Sequence, residues 1–149
     1  MNFIKENSAG YMTNFAARLF AKKMTERLAP EGLCVAYLPV IFVLMHELEN
    51  GNLKGLTQKQ LAISIDIEQP TMAATLSRMK RDGLIKTSPN PKDARSSLVC
   101  LTDLCVSKTG VVENAKNEIN AVALAELTKT EHDMLLKLLC KVVKSLQSE

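Results

Sequence analysis

The chain has 149 residues, 46% of them apolar and 23% charged, an ordinary balance for a globular protein and enough length for one domain with a sizeable core. Aromatic residues make up only 4% and there is no tryptophan, so aliphatic packing must carry that core. The formal net charge of +3 permits a polyanionic partner without demanding one, and the longest apolar run, Val35 to Met45, is shorter than the about 20 residues a membrane-spanning helix needs.

The first residues, MNFIKENSAGYMTNF, carry no charged-then-apolar leader and no small-residue cleavage site, which predicts a cytoplasmic chain with no membrane anchor. A first helix is expected from about Tyr11 to Leu28. Phe20, Met24 and Leu28 recur at i+4 with Phe15 and Leu19 beside them, and APEG then breaks the run. A second helix, roughly Val35 to Leu48, is apolar nearly all round and so belongs at the centre, packed on several sides. It ends at ENGN, where Gly51 suits a left-handed cap.

The following stretch, LTQKQLAISIDIEQP, carries sharper signals. Thr57 and Gln60 have the spacing of a capping box, and Leu56 and Leu61 that of a hydrophobic staple. A short helix from Thr57 to about Ser64 is therefore predicted, then the turn IDI, then a helix starting near Gln69 or Pro70. In QPTMAATLSRMKRDG, Met72, Leu76 and Met79 share one face, while Ala73, Ala74, Ser77 and Lys80 lie largely on the other, and Gly83 ends the run. The outer face is small and polar at its start and cationic at its end. Small side chains let a helix approach a large surface closely, and marginal lysines and arginines can meet phosphates.

LIKTS and SSLVCLT, separated by PNPKDAR, read as two strands and a long turn. Thr102 can cap a long helix running to about Glu126, with Val112, Ala115, Ile119 and Val122 inside. Thr128 and Glu131 form a second capping box, opening a last helix with an apolar face of Met134, Leu135, Leu138, Leu139, Val142 and Leu146. The fold class is thus mainly α with a small β element (α+β): a winged helix-turn-helix lobe with long N- and C-terminal helices. The flanking helices are too long and too apolar to serve that lobe alone, and a second copy of the chain would cover them.

In this pattern the sequence resembles the MarR family of bacterial transcriptional regulators. LAPEGL at Leu28–Leu33 is similar to the family's first interhelical linker, LTQKQLAISIDIEQPTMAATLSRMKRDGLI to its helix-turn-helix, PKDARSSLVCLT to its wing, and LTKTEHDMLLKLL to the start of its last helix. The resemblance covers about Tyr11 to Leu146. It implies one domain over residues 1–149, with the winged lobe at about 53–101 and dimerisation helices at about 8–34 and 102–149. It also implies a homodimer that binds pseudo-palindromic double-stranded DNA, with the recognition helix in the major groove and the wing in the minor groove. By the same resemblance Asp93 holds the wing arginine, Arg95, in place by an ion pair. Four positions depart from the family's pattern: Ala94 for a frequent arginine, Asp66 for a glycine, Glu68 for a serine or threonine cap, and Cys105 for a glycine. Aspartate tolerates a left-handed backbone, so the turn survives.

The candidate DNA-binding residues are Gln69, Thr71, Ala73, Ala74 and Ser77, facing bases, with Arg78, Lys80 and Lys92 toward phosphates and Arg95 in the minor groove. Between Glu68 and Arg95 lie six cations and three anions, a net of +3 that equals the charge of the whole chain. Tyr37, Met45 and His46 are candidates for binding a small aromatic or amphipathic effector, as many members of the family do, although a helix this apolar also reads as plain core. Cys34 opens the second helix, where a helix N-terminus would activate a thiol, but a core thiol is the preferred reading. Cys34, Cys100, Cys105 and Cys140 match no zinc spacing and read as reduced, mostly buried side chains.

His46 and His132 have no companion ligands, so no metal or cofactor is expected. Nor does any nucleophile–base pair or phosphate loop point to an enzyme. The expected function is a homodimeric repressor modulated by an effector or by thiol oxidation. The alternative is a winged-helix protein-interaction module without specific DNA binding.

Overall fold

The structure, a computed structural model, describes residues 4–149. The leader expectation rests in part on residues 1–3, which lie outside the described residues. The chain forms two compact units, one running to Ala115 and the other Lys116–Glu149.

In the first unit, α1 (Ala9–Leu28) opens with Ser8, whose hydroxyl accepts from the Tyr11 amide, and stops where Gly32 turns left-handed at φ 70°. Only Met24 and Leu28 of its apolar stripe are buried, while Phe15, Leu19 and Phe20 remain exposed. The second helix starts later than its composition suggested. Val35–Tyr37 is a 3-10 turn, and α2 proper is Leu38–Glu49, with Pro39 in its first turn. Tyr37, Leu38, Val40, Ile41 and Leu44 are buried, which makes this segment the spine of the core. Each fully buried side chain of that size contributes about 1.5–3 kcal/mol by leaving water.

A two-residue strand, β1 (Leu56–Thr57), precedes α3 (Gln58–Ile65) and was not anticipated. The Thr57 capping box is complete: the Gln60 amide donates to Thr57 Oγ1 at 3.1 Å and the Thr57 amide to Gln60 Oε1 at 2.9 Å. Asp66 closes α3 in the left-handed region at φ 59°. The next helix, α4 (Gln69–Arg81), buries Met72, Thr75, Leu76 and Met79 at i, i+3, i+4 and i+7. Then come β2 (Ile85–Pro89) and β3 (Ser97–Leu101). The antiparallel sheet has the order β1-β3-β2, pairing Ile85 with Leu101 through Pro89 with Ser97, and Leu56 with Val99.

Thr102 Oγ1 accepts from the Cys105 amide at the start of α5 (Asp103–Ala123), which ends three residues short of Glu126. Val112, Ala115 and Ile119 are buried, but Val122 is 74% exposed, a correction to its inward assignment. In the second unit, α6 (Lys129–Gln147) begins with the complete Thr128–Glu131 capping box. Every residue of α6 is at least partly exposed, including Met134, Leu138, Leu139, Val142 and Leu146 of its apolar face. No single helix among the described residues is long and apolar enough to cross a membrane.

Candidate nucleic-acid interface

Burial of one face of α4 dictates what the other face offers. Gln69, Thr71, Ala73, Ala74, Ser77, Arg78 and Lys80 are all exposed. At about 100° per residue the exposed face has two flanks. Gln69, Ala73, Ser77 and Lys80 form one, and Thr71, Ala74 and Arg78 the other.

The first flank lines a groove of about 800 Å³ whose opposite wall is the wing, including Thr87, Asn90, Asp93 and Arg95. Thr57–Gln60, at the start of α3, form its end. The structure thus brings four of the candidate recognition residues to the same concave surface as the wing pair. Thr71 lies instead beside the α3–α4 turn, in a second concavity with Lys59, Asp66 and Glu68. Glu68, the residue before α4, makes no side-chain capping bond.

Local hydrogen bonds hold the parts of the first groove in register. Gln58 Nε2 reaches the Gln69 carbonyl at 3.4 Å, joining the first residues of α3 and α4. Lys80 Nζ donates to Thr87 Oγ1 at 3.2 Å, tying α4 to strand β2. Across the wing, Asn90 Nδ2 donates to Ser96 Oγ at 2.9 Å, and Asn90 Oδ1 accepts from the Lys92 amide at 3.0 Å. Asp93 Oδ1 accepts from the Arg95 amide at 3.0 Å and from Arg95 Nε at 3.4 Å. The Arg95 side chain is 93% exposed. An ion pair this wet adds little stability, so its consequence is direction: the guanidinium is aimed while its remaining N–H groups stay free.

Three cations of α4 have different surroundings. The Arg78 guanidinium lies 5.9 Å from the centroid of the Tyr37 ring, and Arg81 Nε donates to Asp82 Oδ1 at 3.2 Å. Lys80 leans toward the wing. Tyr37 is buried, and its hydroxyl donates to Asp82 Oδ2 at 2.7 Å. Burial and the Asp82 bond push the Tyr37 phenol above its usual range, and the Tyr37 hydroxyl, then Arg81, hold the Asp82 carboxyl below its own.

These facts change several expectations. Tyr37 is engaged with the end of α4, whereas Met45 is half-buried and His46 exposed beside Asn50. Met45 and His46 lie eight and nine residues further along, about 12–14 Å at 1.5 Å per residue, so the structure does not gather the three into one small site. Cys34 is exposed and not core, and the turn after it is a three-residue 3-10 helix, which removes the argument from an α-helical N-terminus. Of the four thiols only Cys105 is buried, and burial pushes it up to about 11; Cys140 is exposed and Cys100 half-buried. Sequence reasoning missed Gln58 and Thr87, the groove residues that bind α4. Their spacing from their partners had no periodic signal.

Residues 42–97 match the family model described as MarR family. An uncharacterized HTH-type transcriptional regulator of Bacillus subtilis (strain 168), YwoH, is 32% identical over 92 residues, or 62% of each chain. The match thus spans less than two thirds of that relative's length. Among solved structures, the PcaV transcriptional regulator of Streptomyces coelicolor in complex with its natural ligand superposes with a TM-score of 0.82 at 22% identity, covering 98% of this chain and 99% of PcaV. MepR of S. aureus, in complex with DNA, superposes with a TM-score of 0.80 at 18% identity, covering 96% and 99%. At those identities the two structures show a shared fold.

Proposed function

We propose that this chain is a MarR-family protein and acts as a cytoplasmic, homodimeric DNA-binding regulator, a repressor on a pseudo-palindromic operator, a reading supported by the family-model match over residues 42–97 and the likeness to YwoH. The observation that carries this reading is the shared groove, where Gln69, Ala73, Ser77 and Lys80 of the recognition helix face Asp93 and Arg95 of the wing. That is the disposition a protein needs to hold a major-groove helix and a minor-groove arginine on one duplex face. MepR, solved on DNA, and PcaV, solved with its natural ligand, support the same reading.

Gln69 supplies a donor and an acceptor for an adenine edge, and the methyl groups of Thr71, Ala73 and Ala74 suit thymine methyls. Arg78, Lys80 and Lys92 meet phosphates. Arg95 enters a narrow, electronegative minor groove. The exposed apolar faces of α1 and α6 pair two chains, placing two recognition helices one DNA turn apart, about 34 Å. A small aromatic or amphipathic effector at Met45 and His46, or oxidation of the exposed Cys34, changes that spacing and releases the operator.

The test is selection of bound fragments from sheared genomic DNA, sequenced at two salt concentrations. Enriched fragments sharing an inverted repeat, with affinity falling as salt rises, establish the function. No enrichment at either salt, by protein refolded free of ligand, overturns it in favour of a protein-interaction module.

A further inference from the structure

Asp82 sits at the C-terminal end of α4, where a negative charge opposes the helix dipole. Its placement there makes sense through its partners. Oδ2 takes the Tyr37 hydroxyl at 2.7 Å and Oδ1 takes Arg81 Nε at 3.2 Å. Tyr37 belongs to the 3-10 turn that leads into the core helix α2, is only 3% exposed, and is 45 residues away in sequence. A buried phenol on the spine of the core therefore holds the tip of the recognition helix. The same ring carries the Arg78 guanidinium on its face at 5.9 Å.

We propose that Tyr37 is a positioning residue for DNA recognition, its hydroxyl fixing the end of α4 through Asp82 and its ring fixing the direction of Arg78. This inference rests on the proposed operator binding. It adds a residue that touches no DNA and sits where α2 begins. Any movement of the turn before α2 is transmitted to α4 through one short hydrogen bond. At the other end α4 is anchored by the Gln58 contact, and on its flank by Lys80 and Thr87, so losing Tyr37 frees the C-terminal turn alone. Asp82 is thereby drawn toward the core, and its charge is occupied by two donors.

The test compares wild type, Tyr37→Phe and Tyr37→Leu, without effector. Tyr37→Phe keeps the ring beneath Arg78 and removes the hydroxyl; Tyr37→Leu removes both. Amide hydrogen exchange is measured on the DNA-free proteins, and affinity on selected operator and on unrelated duplex. In Tyr37→Phe, exchange of the Met79–Leu84 amides should speed up at least threefold while α3 is unchanged. Operator affinity should fall about five- to tenfold with affinity for unrelated duplex unaltered, and Tyr37→Leu should lose more. Asp82→Asn, which keeps an acceptor for the phenol, should retain the wild-type exchange pattern.

Unchanged exchange in Tyr37→Phe overturns the clamp. Equal losses on operator and unrelated duplex, in folded protein, overturn the positioning role. A wild type that binds no duplex selectively defeats the functional reading and the role in recognition with it, while the exchange arm still decides whether the clamp exists.

Discussion

Gly55→Ala should be the most damaging single-methyl change in the winged lobe. Gly55 has φ +85°, and a Cβ built there would stand 1.8 Å from the Val99 carbonyl oxygen and 2.6 Å from its carbon. Ordinary contact begins near 3.4 Å, so one side must retreat by about 1.6 Å. The loop is poorly placed to do so. Asn52 Oδ1 accepts from the Gly55 amide at 3.2 Å, and Asn52 Nδ2 donates to the Gly55 carbonyl at 3.1 Å and to Glu47 Oε2 at 2.7 Å. Strand β3 must move instead, at Val99, which pairs with Leu56 and is buried. A left-handed alanine costs about 1–2 kcal/mol. Losing one or two strand hydrogen bonds costs about 1 kcal/mol each. Together they give about 3 kcal/mol, a fall of about 6–12 °C in Tm for a chain of this size. Gly51→Ala is the control, since Gly51 has φ +88° but open space around it, leaving the backbone strain alone. Denaturant and thermal unfolding of both variants decide the matter. A Gly55→Ala protein no less stable than Gly51→Ala would refute the close approach of loop and strand.

Arg95→Ala should weaken operator binding about tenfold, within the 1–3 kcal/mol typical of a base-reading arginine, and should flatten discrimination among minor-groove sequences; unchanged binding in a mobility-shift titration removes the wing from recognition. Iodoacetamide mapped by mass spectrometry should label Cys34 in the native protein and spare Cys105, which is buried and pushed up to about 11, until the chain unfolds. The Tyr37–Asp82 bond should also give stability a defined pH dependence. Asp82 is held below its ordinary 3.8, so its contribution is present above that value and is lost as pH falls through the lowered one. Tyr37 is raised above 10.0, so its contribution is present below 10.0 and is lost as pH rises through the raised value. The stability gap between wild type and Tyr37→Phe should therefore hold between those limits and shrink as pH falls below 3.8; a gap in urea unfolding that does not shrink as the Asp82 carboxyl takes up its proton contradicts the bond.

Features governed by nearest neighbours were legible in the sequence. Both capping boxes form as their T-x-x-Q and T-x-x-E spacings dictate, and Asp66 takes the left-handed turn that its short polar side chain tolerates. The 3.6-residue period put Met72, Leu76 and Met79 inside correctly, though not Thr75. What escaped depends on pairing at a distance. A two-residue strand has no alternation to read, so β1 appears only once β3 lies beside it. The Tyr37–Asp82 bond joins residues 45 apart and has no local trace. Pro39 was a usable signal that α2 begins at Leu38, since proline favours the first turn. The apolar face of α6 was readable, but periodicity cannot say what covers a face, and within one chain Leu138 and Val142 stay about half exposed.

The same distinction bears on the electrostatics of the groove. Six cations between Glu68 and Arg95 overstate what a duplex would meet. Lys86 lines a concavity with Cys100, Leu101 and Asp103, whereas its neighbour Thr87 lines the recognition groove, because adjacent strand residues point to opposite faces. Arg81 is paired with Asp82. Arg78, Lys80, Lys92 and Arg95 remain, or eight cations in a dimer. If each neutralises one phosphate, log K against log salt should have a slope no steeper than about −7. Specificity then depends less on charge than on where α4 and the wing are held relative to each other, which the Lys80–Thr87 contact fixes, and on the direction of Arg95, which Asp93 sets within the wing. A slope well beyond −7 would show that further cations, Lys59 in the groove lining first among them, reach the backbone and that charge carries more of the binding than the geometry assigns it.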